Sequence, residues 1–322
     1  MSNYIAIDGG GTKTEFVLFN EEGKILAYTL QGGSNVNVSG VEVATGNIRN
    51  GLQELTCQFK PDGVFAGIAG SSTPGNSDVI YNTITSCVNL SQVHVKSDIL
   101  NVIHSVPDVG KCIAVICGTG SSVFAWDEKQ IYPYGGWGYR FDRAGGGYDI
   151  GCDVLRECLA YNNGFGKSSI VTQLAEEKIG GKAIEHLNEL YSGNPDEIGK
   201  FAPYAFAAYK QGDDVAKKIL YRNFKRVAEL IMAADKYSFN SSNHAVIISG
   251  GLTKESDIVT EILDEILEKK YDFVFPDMPQ IYGAAVAALK FCSNSIKSTD
   301  MIAFYKNFVK DYEKIKKGST YR

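Results

Sequence analysis

The 322-residue chain contains no C-x-x-C pair, no block of lysine and arginine and no G-x-x-x-x-G-K-[ST] motif. It also has no uninterrupted apolar run of about eighteen residues. Each absence removes a class of protein. The seven cysteines are odd in number and scattered, which fits reduced buried thiols better than a disulfide framework or a thiolate metal site. A net charge of −5 without any basic stretch leaves no electrostatic footprint for nucleic acid or an anionic membrane, so small molecules are the expected partners. Lacking an apolar span and a basic-then-apolar leader, the chain is expected to be cytoplasmic. Its 44% hydrophobic and 21% charged residues describe an ordinary globular protein with length for about two domains.

What is present begins at once. Residues Tyr4 to Phe19 read as a strand, a glycine-rich turn and a second strand. Gly9, Gly10 and Gly11 let backbone N–H groups approach phosphate oxygens, and the hydroxyls of Thr12 and Thr14 add donors. Asp8, ending the first strand, can hold a Mg²⁺ ion through water. A Rossmann turn would open a helix, whereas Phe16 to Phe19 continues as a strand. Taken alone, the same residues also suit a tight hairpin built on Asp-Gly chemistry.

The pattern then repeats. Val64 to Gly70 reads as a buried strand running into the polar turn Ser71 to Gly75, Val79 to Val88 as a helix, and Val93 to Val95 as a short strand. At Cys117-Gly118-Thr119-Gly120-Ser121-Ser122 a β-branched run breaks into a second glycine/hydroxyl turn, followed by the strand Val123 to Trp126. A third instance is Ala245 to Ser249 running into Gly250-Gly251. Helical spacing covers Ala202 to Lys210, Ala216 to Lys236 and Met301 to Lys317. Alternating strands and helices indicate an α/β fold with helices on the sheet faces. Turns of one kind in both halves imply two related lobes handling one nucleotide.

The chain resembles the actin/sugar-kinase/Hsp70 superfamily, and within it the BadF/BadG/BcrA/BcrD ATPase and eukaryotic-type N-acetylglucosamine kinase group. The resemblance is carried by Asp8 to Thr14, Gly33-Ser34-Asn35 with Gly40, Ser97-Asp98 and Cys117 to Ser121. It continues through Gly135-Gly136-Trp137-Gly138, Gly145 to Gly151 and Ser249-Gly250-Gly251. It implies two actin-like (ribonuclease H-like) lobes, each a mixed sheet flanked by helices, with a nucleotide cleft between them. Residues 1–117 would form the first, with a C-terminal helix at about 297–322 packing back on it, and 118–296 the second. The implied activity is ATP- and Mg²⁺-dependent phosphorylation of the 6-hydroxyl of N-acetylglucosamine or N-acetylmuramic acid, by a homodimer.

Site roles follow from the same resemblance. Asp8, Gly10, Gly11, Thr12, Lys13 and Thr14, with Gly118, Thr119 and Gly120, match the clamp on the β- and γ-phosphates, and Gly250 and Gly251 match the border of adenosine. Asp98 matches the general base, which takes the proton of the attacking hydroxyl. Asn35, Ser71, Asp98, Thr119, Gly136, Trp137, Asp142 and Arg143 are the candidate sugar ligands. The plainer readings are a solvated charge for Lys13, a helix N-cap for Asp98, a turn residue for Asn35 and a packed ring for Trp137.

One departure matters. Relatives commonly carry Gly-Asp-Glu-Gly-Ser-Gly after the Gly-Trp-Gly element, but this chain reads Asp142-Arg143-Ala144-Gly145 there. Asp142 can take over as the acidic ligand, while Arg143 either faces a substrate carboxylate or is a surface arginine. Two other enzyme readings share the fold: a glucosamine kinase, and an activator ATPase of the 2-hydroxyacyl-CoA dehydratase type, which would need cluster cysteines such as Cys112 and Cys117 near the site. A sugar-sensing regulator would need a helix-turn-helix, and the chain opens directly on the phosphate strand. If Arg143 reads a carboxylate, Arg143→Ala should lower turnover of N-acetylmuramic acid relative to N-acetylglucosamine. Equal use of both sugars by the variant would leave Arg143 a surface residue.

Overall fold

The computed structural model describes residues 2–57, 59–107, 109–143, 145–238, 245–293 and 300–318. Ala144, and residues 297–299 and 319–322 of the expected C-terminal helix, lie outside the described residues. The chain forms two compact units, residues 1–108 with 276–322, and residues 109–275.

The first unit runs β1 (Asn3–Gly9), β2 (Lys13–Asn20), β3 (Ile25–Gly32), α1 (Val36–Ser39), α2 (Val41–Thr56), β4 (Gly63–Ile68), α3 (Asn76–Cys87), β5 (Val93–Lys96) and α4 (Ile99–Ile103). The second contains β6 (Cys112–Cys117), β7 (Ser121–Trp126), β8 (Ile131–Gly135), α5 (Gly147–Asn162), α6 (Ile170–Ile179), α7 (Leu187–Ser192), α8 (Pro195–Gly199), α9 (Ala202–Tyr209), α10 (Asp214–Ser238), β9 (Ala245–Gly250), α11 (Ser256–Ile266) and β10 (Asp272–Val274). The chain then returns to the first unit as α12 (Gln280–Cys292) and α13 (Met301–Lys316).

Both sheets have one topology. The first is ordered β3-β2-β1-β4-β5 and the second β10-β9-β6-β7-β8. In each, a three-strand antiparallel meander is extended by two parallel strands beside its first strand. Parallel neighbours require a crossover, and α2 with α3, the helices α5 to α10, and α11 provide them. The duplication expected from the repeated turns is thus present strand for strand.

The division differs from a boundary at 117/118. Such a cut would separate β6 from β7, which pair from Cys112↔Trp126 to Cys117↔Ser121, and would assign α12 to the second unit although it packs on β1 and β4. The divisions instead fall at 108/109 and 275/276, where no strand pairing is broken.

Side-chain alternation explains the layering of the first unit. Ile5, Ile7, Phe16, Leu18, Val64 and Ala66 face one side and pack with Ala44, Ile48 and Leu52 of α2 and Ile80 and Ile84 of α3. Their neighbours point the other way: Phe65 stacks on Phe291 of α12 at 5.4 Å, and Phe19 meets Phe304 and Phe308 of α13 edge-on at 5.8 and 6.4 Å. Asp300 caps α13 by accepting from the N–H groups of Ile302 and Ala303, and Phe304, Phe308 and Tyr312 recur at the spacing of one helix face. In the second unit Ile113, Val115, Val123 and Ile248 form a core with Ile150 and Val154 of α5 and Phe224 and Val227 of α10. Among the described residues no helix is long and apolar enough to cross a membrane.

Phe308 is fully buried, so Phe308→Ala should destabilise the first unit by about 3–5 kcal/mol, whereas Ile302→Ala on the exposed face should stay within about 0.5 kcal/mol. Urea unfolding of the two variants checks the contrast.

Candidate active site

Every candidate residue of the first unit lies at one end of its sheet. Parallel β1, β4 and β5 share a direction, so their C-terminal ends deliver Asp8, Ser71 and Asp98 to the same edge. Antiparallel β2 starts there with Lys13 and Thr14, and β3 ends there ahead of Asn35.

The glycine turn is fastened from below. Gly10 N–H donates to the Lys13 carbonyl, and the Gly10 carbonyl accepts from both Ser34 and Asn35 N–H at 3.0 and 3.1 Å. Thr14 is fully buried and its hydroxyl engages the Gly32 carbonyl and the Ser34 hydroxyl, so it braces the neighbouring loop from behind the turn. Gly11 and Thr12 remain exposed. The Lys13 ammonium sits 2.8 Å from Glu15, a buried carboxylate that also receives the Tyr312 hydroxyl. Asn35 caps α1 by accepting from Asn37 N–H, and Asn37 bonds Thr73 and Asn76, which ties the loop after β3 to the loop after β4. Beside them Ser71 is buried with a hydroxyl that has no partner among the described residues.

Two carboxyls here have shifted proton affinities. Burial pushes Asp8 up to about 7, against a hydrogen bond from Asn101, with nearby Glu15 and Asp98 pushing the same way. Burial also raises Asp98, opposed by the Ser97 hydroxyl, which donates to it at 3.2 Å. Asp98 stands in the N-cap position of α4 yet makes no side-chain capping bond, so the capping reading does not account for it. A carboxylate with raised proton affinity suits proton abstraction from an alcohol.

The second unit assembles its own set. The Gly147 and Tyr148 N–H groups donate to the carbonyls of Gly118 and Thr119, both at 2.8 Å, pinning the start of α5 against the β6–β7 turn. β9 lies parallel to β6 and ends opposite it, Gly250 pairing with Cys117. Gly250 has φ +109°, and a Cβ there would stand 2.2 Å from the Cys117 carbonyl oxygen, so only glycine fits. Gly118, Thr119, Gly147 and Gly251 line one cavity of about 280 Å³ with Asp196, Pro203, Phe206, Leu252 and Lys254. An apolar wall beside a glycine turn is suited to a flat heterocycle with a phosphate tail.

The chain belongs to the BadF/BadG/BcrA/BcrD ATPase family, whose model matches residues 5–290. It is 24% identical over 311 residues to an N-acetyl-D-glucosamine kinase of Dictyostelium discoideum, covering 89% of this chain and 97% of that one. It is 25% identical over 305 residues to an N-acetylmuramic acid/N-acetylglucosamine kinase of Clostridium acetobutylicum, covering 91% and 100%. In structure it is similar to a provisionally named N-acetylglucosamine kinase of Chromobacterium violaceum, with TM-score 0.68, 20% identity, and coverage of 90% and 99%. The fold is that of the sugar kinases of the actin-like ATPase class.

Within this family member the Gly-Trp-Gly segment is organised by Asp142. Its Oδ2 accepts from Gly136 N–H at 2.6 Å, while Oδ1 is buried and has no partner among the described residues. Trp137 is 64% exposed, so it is not a core ring, and Arg143 is exposed as well. Cys112 and Cys117 are buried β6 residues whose thiols burial pushes up to about 12, the reverse of what a thiolate cluster ligand needs.

Two residues escaped the sequence reading. Asn101 donates to Asp8 at 2.6 Å, and its only sequence signal is its spacing of three from Asp98. Asp196 accepts from the Thr119 hydroxyl across a separation no local pattern announces. Because Asp8 binds its proton more tightly when folded, the stability it contributes is complete below about pH 4 and lost as pH rises through about 7. Asp8→Asn should therefore flatten the fall in stability of the metal-free protein between pH 5 and 8, by on the order of 2–4 kcal/mol in denaturant titrations.

Proposed function

We propose that this protein is an ATP-dependent amino-sugar kinase that phosphorylates the 6-hydroxyl of N-acetylglucosamine, N-acetylmuramic acid or both. Asp98 carries the reading: a carboxylate with burial-raised proton affinity sits on the same sheet end as a glycine turn, Asn35 and the unpartnered Ser71 hydroxyl. In this reading Asp98 accepts the proton of the attacking hydroxyl, and Asn35 and Ser71 orient the sugar. Gly10, Gly11 and Thr12 with Gly118, Thr119 and Gly120 hold the phosphates, and the cavity bordered by Gly251 takes adenine. Trp137, exposed in its glycine-flanked loop, offers an apolar ring face to a pyranose.

Asp8 fits a hydrated divalent cation. Its Oδ1 is anchored by Asn101, and among the described residues its Oδ2 has no hydrogen-bond partner, leaving an acceptor for metal-bound water. When bound, Mg²⁺ neutralises charge on the β- and γ-phosphates. The names of the two kinases noted above support the substrate class, and N-acetylmuramic acid would place the enzyme in recycling of cell-wall sugars. A cytoplasmic location and a homodimer complete the proposal.

The test is ADP release across a panel of N-acetylglucosamine, N-acetylmuramic acid and glucosamine, with ATP, Mg²⁺ and a no-sugar control. Release should depend on an N-acetylated sugar; hydrolysis indifferent to sugar would favour an ATPase. Asp98→Asn should stay folded, still bind sugar and lose about 10²–10⁴ in kcat. The wild-type kcat should fall on acidification at a pH above the ordinary carboxylate range, because Asp98 is raised.

A further inference from the structure

Asn101 lies one helical turn beyond Asp98 on α4, with no exposed surface. Its Nδ2 bridges two adjacent strands, donating to Asp8 Oδ1 at 2.6 Å and to the Gly67 carbonyl at 3.0 Å. Asp8 and Gly67 are register partners of β1 and β4, so the amide spans a single rung of the sheet. Both neighbours are acceptors, and the carboxamide NH₂ group supplies two protons to them from one atom. The remaining atom, Oδ1, is buried and has no partner among the described residues. Leaving a buried acceptor unpaired is costly, so packing stability alone gives little reason for a carboxamide here. Gly67 makes room for it: a Cβ at that position would stand 1.9 Å from Asn101 Oδ1.

We propose that Asn101 is a positioning residue that sets the orientation of the Asp8 carboxylate and, through it, the place of the hydrated Mg²⁺ that accompanies ATP. This rests on the kinase reading above. By holding Oδ1, the amide leaves Oδ2, which has no hydrogen-bond partner among the described residues, as the oxygen that would receive metal-bound water. Because α4 also begins at Asp98, the same helix carries the base and the residue that orients the cation carboxylate. Phosphate end and acceptor end are thereby held to one rigid element.

The experiment measures ATP binding by calorimetry across a Mg²⁺ series, alongside ADP release, for the wild type, Asn101→Ala, Asp8→Asn and the double variant. Asn101→Ala should raise the Mg²⁺ concentration for half-maximal ATP binding and lower kcat, each by about 10–100-fold, the usual effect of losing the partner of a metal-site carboxylate. Its KM for sugar should stay within about twofold, and the double variant should be no worse than Asp8→Asn alone. Gly67→Ala, which crowds the amide off the strand with Asn101 intact, should reproduce the phenotype. If Asn101→Ala does not fold, Asn101→Ser, too short to bridge, is read in its place. Wild-type Mg²⁺ dependence and kcat in these variants would overturn the proposal, as would losses that add to those of Asp8→Asn or a wild type that binds ATP equally well in EDTA. Absence of sugar-dependent ADP release from the wild type would instead remove the kinase reading, with the Mg²⁺ dependence of ATP binding still deciding the role of Asn101.

Discussion

The register of the central strands governs everything else in this protein. β1 pairs antiparallel with β2 and parallel with β4, and β6 is treated in the same way by β7 and β9. Parallel neighbours end at one edge, so three chain segments far apart in sequence present their turns together. A slip of one residue would exchange the faces of β1, putting Ile7 where Asp8 stands and a carboxylate into the apolar layer against α2. Burying that carboxylate among apolar side chains makes such a slip very unfavourable, which lets the polar residue at the strand end be placed without any device of its own.

Polar groups at these strand ends are held in surroundings that do not favour their charge. Asp8 and Asp98 are both raised by burial, Ser71 carries an unpartnered hydroxyl, and Asp142 and Asn101 each leave one buried oxygen unpaired. Such groups cost stability, and the gathering of Asp8, Ser71, Asp98 and Asn101 at one sheet end of the first unit is the pattern expected of a ligand site. The apolar faces offset that cost. Phe19, Phe65, Phe291, Phe304 and Phe308 build an aromatic layer behind the first sheet, and the second is covered by α5 and α10.

Much of the fold was legible because its signals are local. Glycine and hydroxyl turns between β-branched runs announce strand ends, and α10 and α13 carry an apolar stripe at helical spacing. The assignment of segments to units was not legible, since it depends on pairing across long separations. β6 looks like the end of the first half in sequence and is the first strand of the second sheet, and α12 follows the second sheet in sequence yet packs on the first. The same limit applies within the site. Asp8 and the glycine turns are marked by composition, but Asn101 and Asp196 act through partners distant in sequence, and a lone Asn in a short apolar helix has no signature.

By itself, then, the sequence determined the strand-turn-strand units, the duplicated α/β plan and the identity of the residues at the strand ends. These follow from side-chain periodicity and from what glycine, hydroxyl and carboxylate groups can do. Only the tertiary structure decided which of those residues are available. It buried the Thr14 hydroxyl behind its turn, paired Lys13 with Glu15, left Trp137 and Arg143 exposed, and set an amide between Asp8 and Gly67. The reason is physical: whether a polar group is free, paired or desolvated depends on neighbours brought in by folding, and no property of the residue alone carries that information.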